Sequence, residues 1–288
     1  MPDVYSIVTE RVLNQLSWGN IPWHCPWKES FNGAISYATG KPYSLLNQIL
    51  LGAMPGEYLT FNQAIAVGGS VRKGEKSKVI VFWKMLEEVD EDTGEVKTIP
   101  YLKYINVFNI SQCEHIAPRW AVTVMRDEGT DLAPDEDADA LIDSYVSRSH
   151  VKLDIVESNH AYYSPSEDTV VIPKLSQYTE LAEYYSTAFH ELAHSTGHST
   201  RLNRITQKAA FGSDVYSKEE LCAEIASSFL LSICGLETPS SIRNNTAYIN
   251  NWYKALQDDK RLIVTAASLA EKAVHYILGD KEESNDGN

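Results

Sequence analysis

The chain of 288 residues carries 25 Lys+Arg against 39 Asp+Glu, a formal net charge of −14, and its 43% hydrophobic content supports two domains with real cores. No run of 18 apolar residues and no charged-apolar-small leader occurs, which excludes a membrane-spanning helix and leads us to expect a soluble, unsecreted protein of the bacterial cytoplasm. Cys25, Cys113, Cys222 and Cys234 show no C-x-x-C spacing, so neither a zinc ribbon nor a disulfide framework is indicated.

In chain order, Val4 to Trp18 repeats Val4, Ile7, Val8, Val12, Leu13 and Leu16 at helical spacing, and Gly19-Asn20 ends that helix. Trp23 and Trp27 follow on a Pro-stiffened loop, where they serve either as core plugs or as platforms for stacked bases. Residues 40–51 read as a helix entered through Pro42 or capped by Ser44, and residues 58–64 lead into a shorter helix that ends at Gly68-Gly69. A basic turn, Ser70 to Lys78, precedes a β-branched strand, 79–84; the acidic stretch 87–95 makes a hairpin tip and 101–109 the returning strand. Five Lys/Arg stand against one Glu between residues 70 and 84, a pattern that suits phosphate contacts or a solvated hairpin.

Charge divides the chain. Residues 1–126 hold 12 basic and 12 acidic side chains, whereas 127–288 hold 13 and 27, so all the excess acid lies in the second half. The acidic stretch 127–140 reads as a linker that passes into a helix from Ala138 to Ser147. Strands are expected at 151–156 and 168–173, the latter an exposed edge before the next helix, able to pair with an extended peptide. Helices follow at 216–230, from Pro239 to Asp258, and at 261–278, and residues 280–288 form a disordered tail.

Chemistry enters at His190-Glu191-Leu192-Ala193-His194. Two histidines four apart share one helix face and can grip one metal ion; in zinc peptidases the intervening glutamate is the general base for the attacking water. Leu181, Tyr184, Tyr185, Ala188 and Leu192 supply the apolar face of that helix, and Gly197 is placed to end it. A third ligand is needed. Thr200 stands where the metzincin pattern requires histidine, and His198 lies beyond the expected helix end. The helix 216–230 offers Glu220 and Glu224 on one face. This looks like the gluzincin arrangement, which implies Glu220 as the ligand and Glu224 as the acid that orients a ligand histidine; the reverse assignment stays open.

The combination resembles the antirestriction proteins of the ArdC type. The resemblance rests on Pro22-Trp23 with Pro26-Trp27, Thr39 to Tyr43 through Asn47, Leu59 to Ala64, Gly68-Gly69 with Val71 to Lys76, Val107-Phe108-Asn109 with Gln112-Cys113, Phe189 to His194, Arg201-Leu202-Asn203-Arg204, and Glu219-Glu220-Leu221 with Ala223-Glu224. It implies an α+β chain: an N-terminal α+β domain with a small antiparallel sheet over 1–126 that binds single-stranded DNA, a linker 127–140, and a gluzincin-like, zincin-type metallopeptidase domain over 141–279. It also implies protection of incoming conjugative-plasmid DNA from host restriction, with zinc, manganese or another divalent ion as cofactor. Arg72, Lys73, Lys76 and Lys78 are then the phosphate contacts, Tyr43, Asn47, Asn62 and Gln63 their polar neighbours, and Trp23 or Trp27 the stacking residues. Other readings are a single-stranded DNA-binding protector whose metal site only holds the domain together, and a protease acting on DNA-bound proteins. The protein partner is a host restriction protein or another substrate.

Overall fold

The computed structural model describes residues 4–17, 23, 33–52, 54–89, 96–120, 133–205, 214–236 and 246–280. In the first half, helix α1 (Val4–Ser17) buries Val8, Val12 and Leu16, the stripe its spacing predicts. β1 (Ala34–Ser36) runs parallel to β2 (Gly56–Leu59), with α2 (Leu45–Leu50) between them, and α3 (Phe61–Ala66) follows. The strand pair β3 (Ser70–Val71) and β6 (Cys113–Glu114) flanks a long hairpin, β4 (Lys78–Val89) and β5 (Val96–Asn109). The resulting four-stranded sheet has the order β1-β2-β5-β4. Of the expected hairpin tip 87–95, residues 87–89 belong to β4, and residues 90–95, like Trp27, lie outside the described residues.

β4 is an edge of that sheet, and an edge needs cover. Asn47 supplies it from α2: its Nδ2 donates to the Val81 carbonyl at 2.7 Å and its Oδ1 accepts from the Val81 N–H at 2.8 Å, imitating a neighbouring strand. Replacing Asn47, only 6% exposed, by Leu leaves both Val81 groups unpaired and is expected to destabilise the chain by about 1–3 kcal/mol in urea denaturation. A loss below about 0.5 kcal/mol, the scatter of ordinary surface substitutions, would show that this pairing does not matter. Gly40 is glycine for two reasons: its φ is +72°, and a Cβ there would sit 2.8 Å from the Trp120 ring.

In the second half, α4 (Glu136–Ser149) starts within the stretch expected as a linker. Its acids Glu136, Asp137 and Asp139 occupy the first turn, where they suit the helix dipole, and Asp135 caps it by accepting from the Ala138 N–H at 2.8 Å. β7 (Lys152–Val156), β8 (Tyr162–Ser164) and β9 (Thr169–Pro173) form a sheet in the order β7-β9-β8. The expected exposed edge at 168–173 is therefore corrected. β9 is central and buried along its whole length, pairing parallel to β7 and antiparallel to β8. A continuous apolar run, Val170-Val171-Ile172, marks a strand covered on both faces.

Helices α5 (Leu181–Ser195), α6 (Asp214–Ile233), α7 (Thr246–Asp258) and α8 (Leu262–Leu278) complete the mixed α/β fold, a zincin-like helical region beside the N-terminal sheets. One apolar core runs from Val8, Val12 and Trp23 through Tyr185 and Phe189 to the α8 stripe Ala266, Ala267, Ala270 and Ala273. Thr9 Oγ1 donates to the Lys260 carbonyl at 2.7 Å, and Glu271 of α8 accepts from the Leu45 N–H at 3.3 Å, so α1 and α2 are pinned to the C-terminal helices. Trp23 belongs to this core. It is 1% exposed and meets Trp252 edge-on at 6.4 Å, which removes it from any base-stacking role.

Candidate metal centre

The amphipathic pattern of α5 buries Tyr184, Tyr185, Ala188, Phe189 and Leu192 and leaves His190 and His194 on the side that faces α6. Gly197 ends this run. A Cβ at that position would stand 2.8 Å from Ile205 Cγ1, so only glycine lets the loop 196–205 fold back; the Arg204 and Ile205 N–H groups both donate to the Gly197 carbonyl at 2.9 Å.

His190 Nε2 and His194 Nε2 lie 3.1 Å apart, and each stands 3.6 Å from a different carboxylate oxygen of Glu220. Among the described residues these three side chains form the group able to hold a metal ion, their ligand atoms all within 4.8 Å of one another. Two tetrahedral ligands about 2.0–2.1 Å from one ion sit roughly 3.3 Å apart, so the donor set fits a divalent metal and leaves a coordination position for an exchangeable ligand. A bound divalent ion supplies Lewis-acid chemistry there, polarising a carbonyl or activating water.

Charge favours a cation at this place. Burial alone would lower the His190 imidazole, but the carboxylates of Glu220, Glu224 and Glu191 reverse the shift and raise it to about 9. Glu191, 9% exposed, is not in the donor group. Burial pushes its carboxyl up, against the pull of His190 and His194, and a raised carboxyl is what a general base working near neutral pH requires.

His198 is spent elsewhere: its Nδ1 meets Thr200 Oγ1 at 2.8 Å. Glu224, expected to orient a ligand histidine, stands 4.0 Å from His190 Nδ1, beyond hydrogen-bond reach. The carboxylate that does meet a ligand histidine is Glu219, whose Oε1 is 3.3 Å from His194 Nδ1. Arg204 holds Glu219 in turn, with Nε 3.1 Å from Oε2 and Nη2 2.9 Å from Oε1. The sequence motifs contain Arg201, Arg204 and Glu219 but assign them no role. No local pattern marks the two arginines, since the carboxylates they hold lie 15 and 33 residues away in sequence.

The residues expected to bind DNA separate into two sets. Asn47 pins β4, Trp23 fills the core, and Gln63 closes a capping box with Thr60 at the start of α3. Lys78 donates its ammonium to the Leu51 carbonyl at the end of α2, so it caps a helix instead of facing solvent phosphate. Tyr43 is half-buried edge-on to Tyr58, and burial pushes its hydroxyl up to about 12. Burial corrects Trp23 and Asn47 to structural roles, and the half-buried Tyr43, Gln63 and Lys78 have structural partners as well. Asn62, Arg72, Lys73 and Lys76 are exposed, although Arg72 also donates to Glu75 at 3.0 Å and to the Ser111 carbonyl at 2.6 Å. Among the described residues no helix is long and apolar enough to cross a membrane.

Fold and donor set together define a zincin-like metallopeptidase architecture, and the family model of that description matches residues 139–269. The N-terminal domain of anti-restriction factor ArdC matches residues 2–108. The metal-free crystal structure of the antirestriction ArdC protein from plasmid R388 superposes with a TM-score of 0.75 at 32% identity, covering 98% of this chain and 100% of that one. Its Mn(II)-bound structure gives 0.76 and 31% over the same shares. The chain belongs to the ArdC antirestriction family. Two proteins of Escherichia coli called DNA primase TraC are 35% and 34% identical over 96% and 97% of this chain, which spans 27% and 20% of their lengths.

Proposed function

We propose that this antirestriction protein binds single-stranded DNA through residues 1–126 and holds beside it a metal-dependent hydrolytic site, in 141–279, that acts on a protein partner and so protects incoming DNA from host restriction. The observation that carries the hydrolytic part is the convergence of His190, His194 and Glu220 next to a buried Glu191 outside the donor set. Zinc and manganese both suit a donor set of two imidazoles and a carboxylate; the R388 relative's Mn(II)-bound form supports manganese. Glu191 serves as general base, and His190, His194 and Glu220 hold the ion. The DNA part is supported by the match to the ArdC N-terminal domain and by the exposed basic turn.

On this reading Arg72, Lys73 and Lys76 contact phosphates, with Asn62 beside them. Replacing Lys73 and Lys76 together by Ala is expected to flatten the dependence of log affinity on log salt for a single-stranded oligonucleotide by about 1.4, roughly 0.7 for each phosphate no longer neutralised. Measured by fluorescence anisotropy between low and moderate salt, an unchanged slope would remove the turn from the DNA interface. The same variant, scored for protection of plasmid DNA from restriction, asks whether DNA binding is what protects. If protection survives intact without Glu191 but fails without the basic turn, the chain is a DNA-binding protector with a non-catalytic metal site.

A further inference from the structure

We propose that Arg204 is a positioning residue for the metal site, acting through Glu219 to fix which nitrogen of His194 faces the ion. This rests on the metal-site reading above and goes beyond it to a residue outside the donor set.

His194 turns its two nitrogens to different tasks. Nε2 faces His190 Nε2 and Glu220, while Nδ1 faces Glu219 Oε1 at 3.3 Å. A neutral imidazole carries one proton, so Nε2 offers a lone pair to a metal only when that proton sits on Nδ1. Glu219 is the acceptor that keeps it there, and the acceptor must be held in place and aimed at the ring.

Arg204 does both. Its guanidinium forks onto the two carboxylate oxygens, 2.9 Å to Oε1 and 3.1 Å to Oε2, a planar bidentate geometry that lysine does not reproduce. Its remaining donors reach the end of α5: Nη1 to Thr196 Oγ1 at 2.7 Å and Nη2 to the Ala193 carbonyl at 2.9 Å. The side chain is only 6% exposed, and these partners lie on the helix that carries His194 and on the helix that carries Glu220. Glu219 and Glu220 are successive residues of α6 and so point about 100° apart. One register of α6 therefore places Glu220 between the two Nε2 atoms and Glu219 behind His194. Arg204 locks that register. Among the described residues His190 has no such counterpart, since Glu224 stands 4.0 Å from its Nδ1.

The test is a double-variant cycle on the full chain: Arg204→Met, Glu219→Ala and both together, read by Mn(II) affinity from calorimetric titration. Ring-nitrogen NMR of the metal-free protein gives the histidine tautomers. Each single variant is expected to weaken Mn(II) binding about 10–100-fold, and the double variant no further, because both remove the same support. The His194 signals should move from the Nδ1–H form to a mixture while those of His190 stay in place. Should a variant lose its far-UV circular dichroism, Arg204→Lys and Glu219→Gln carry the same cycle. Mn(II) affinity within threefold of wild type, an unchanged His194 tautomer, or losses that simply add would overturn the proposal. If the wild-type chain itself binds no Mn(II), the metal reading fails, and the tautomer in the metal-free chain still decides whether Arg204 orients His194.

Discussion

Replacing Arg201 by Met is expected to destabilise the fold by about 1.5–3 kcal/mol, because it removes a buried guanidinium hydrogen-bonded to a part-exposed carboxylate and to two backbone carbonyls. The Arg201 side chain is 1% exposed and each of its nitrogens is engaged. Nε donates to the Ser195 carbonyl at 2.7 Å, one terminal nitrogen to Asp168 Oδ2 at 3.0 Å and the Ser149 carbonyl at 3.3 Å, and the other to Asp168 Oδ1 and to Tyr163 Oη at 3.2 Å. One guanidinium thus joins the ends of α4 and α5 to β8 and the turn before β9. Methionine fills the volume but leaves the Ser195 and Ser149 carbonyls without this donor and Asp168 with only Tyr163 and solvent. Urea denaturation at pH 7 reads the loss, and a value under about 1 kcal/mol, the range of an exposed pair, would show that solvent replaces these bonds.

The same pair sets a pH dependence. Burial raises the Asp168 carboxyl, but hydrogen bonds from Arg201 and Tyr163 and the Arg201 charge outweigh it and hold the group below the usual carboxylate range. A depressed folded-state pKa stabilises at full strength above the unfolded value, about 3.9, and the contribution is lost as pH falls through the folded value. The gap between wild type and Arg201→Met should therefore narrow below about pH 4. A gap that widens on acidification would mean that the two residues are not coupled as the geometry states.

Arg201 also shows where the sequence stops being legible. Periodicity reports what a residue does for its own helix, and it located α1, α5, α6, α7 and α8 because each carries an apolar stripe of its own. The metal residues were legible for the same reason: His190 and His194 share a face by spacing alone, and so do Glu220 and Glu224. Which acid supports a histidine was not. That depends on the rotation of α6 against α5, and a step of one residue moves Glu219, not Glu224, into reach of an imidazole nitrogen. The central place of β9 depends on β8, three residues long and too short to carry a pattern.

Some basic and polar residues of the first half are hard to place from sequence for a related reason. Lys78, Asn47 and Gln63 have the chemistry of nucleic-acid contacts, but the same donors and acceptors satisfy a helix end, a sheet edge and a helix start. Composition does not distinguish the two uses. Burial does, and burial follows from contacts between segments more than thirty residues apart, such as Asn47 with Val81.

Glu191→Gln is expected to remove hydrolysis by about 10²–10⁴-fold while leaving metal binding within a few-fold of wild type. The amide keeps the size and polarity of the side chain but cannot take a proton from the attacking water, and Glu191 is absent from the group of metal-holding atoms. His190→Ala differs in kind, since it removes a ligand and should lose metal and activity together. Two measurements on the same preparations separate the cases: metal content after dialysis against Mn(II) or Zn(II), and cleavage of fluorescein-labelled casein, with plasmid protection from restriction scored alongside. Should Glu191→Gln retain both its metal and full protection, proteolysis is not how this chain protects DNA, and the metal serves to hold α5 against α6. Loss of protection with metal retained places a proton transfer at Glu191 in the protective step. Burial raises the Glu191 carboxyl while His190 and His194 pull it down, so on the proposed reading the base is tuned by the same two imidazoles that would hold the ion.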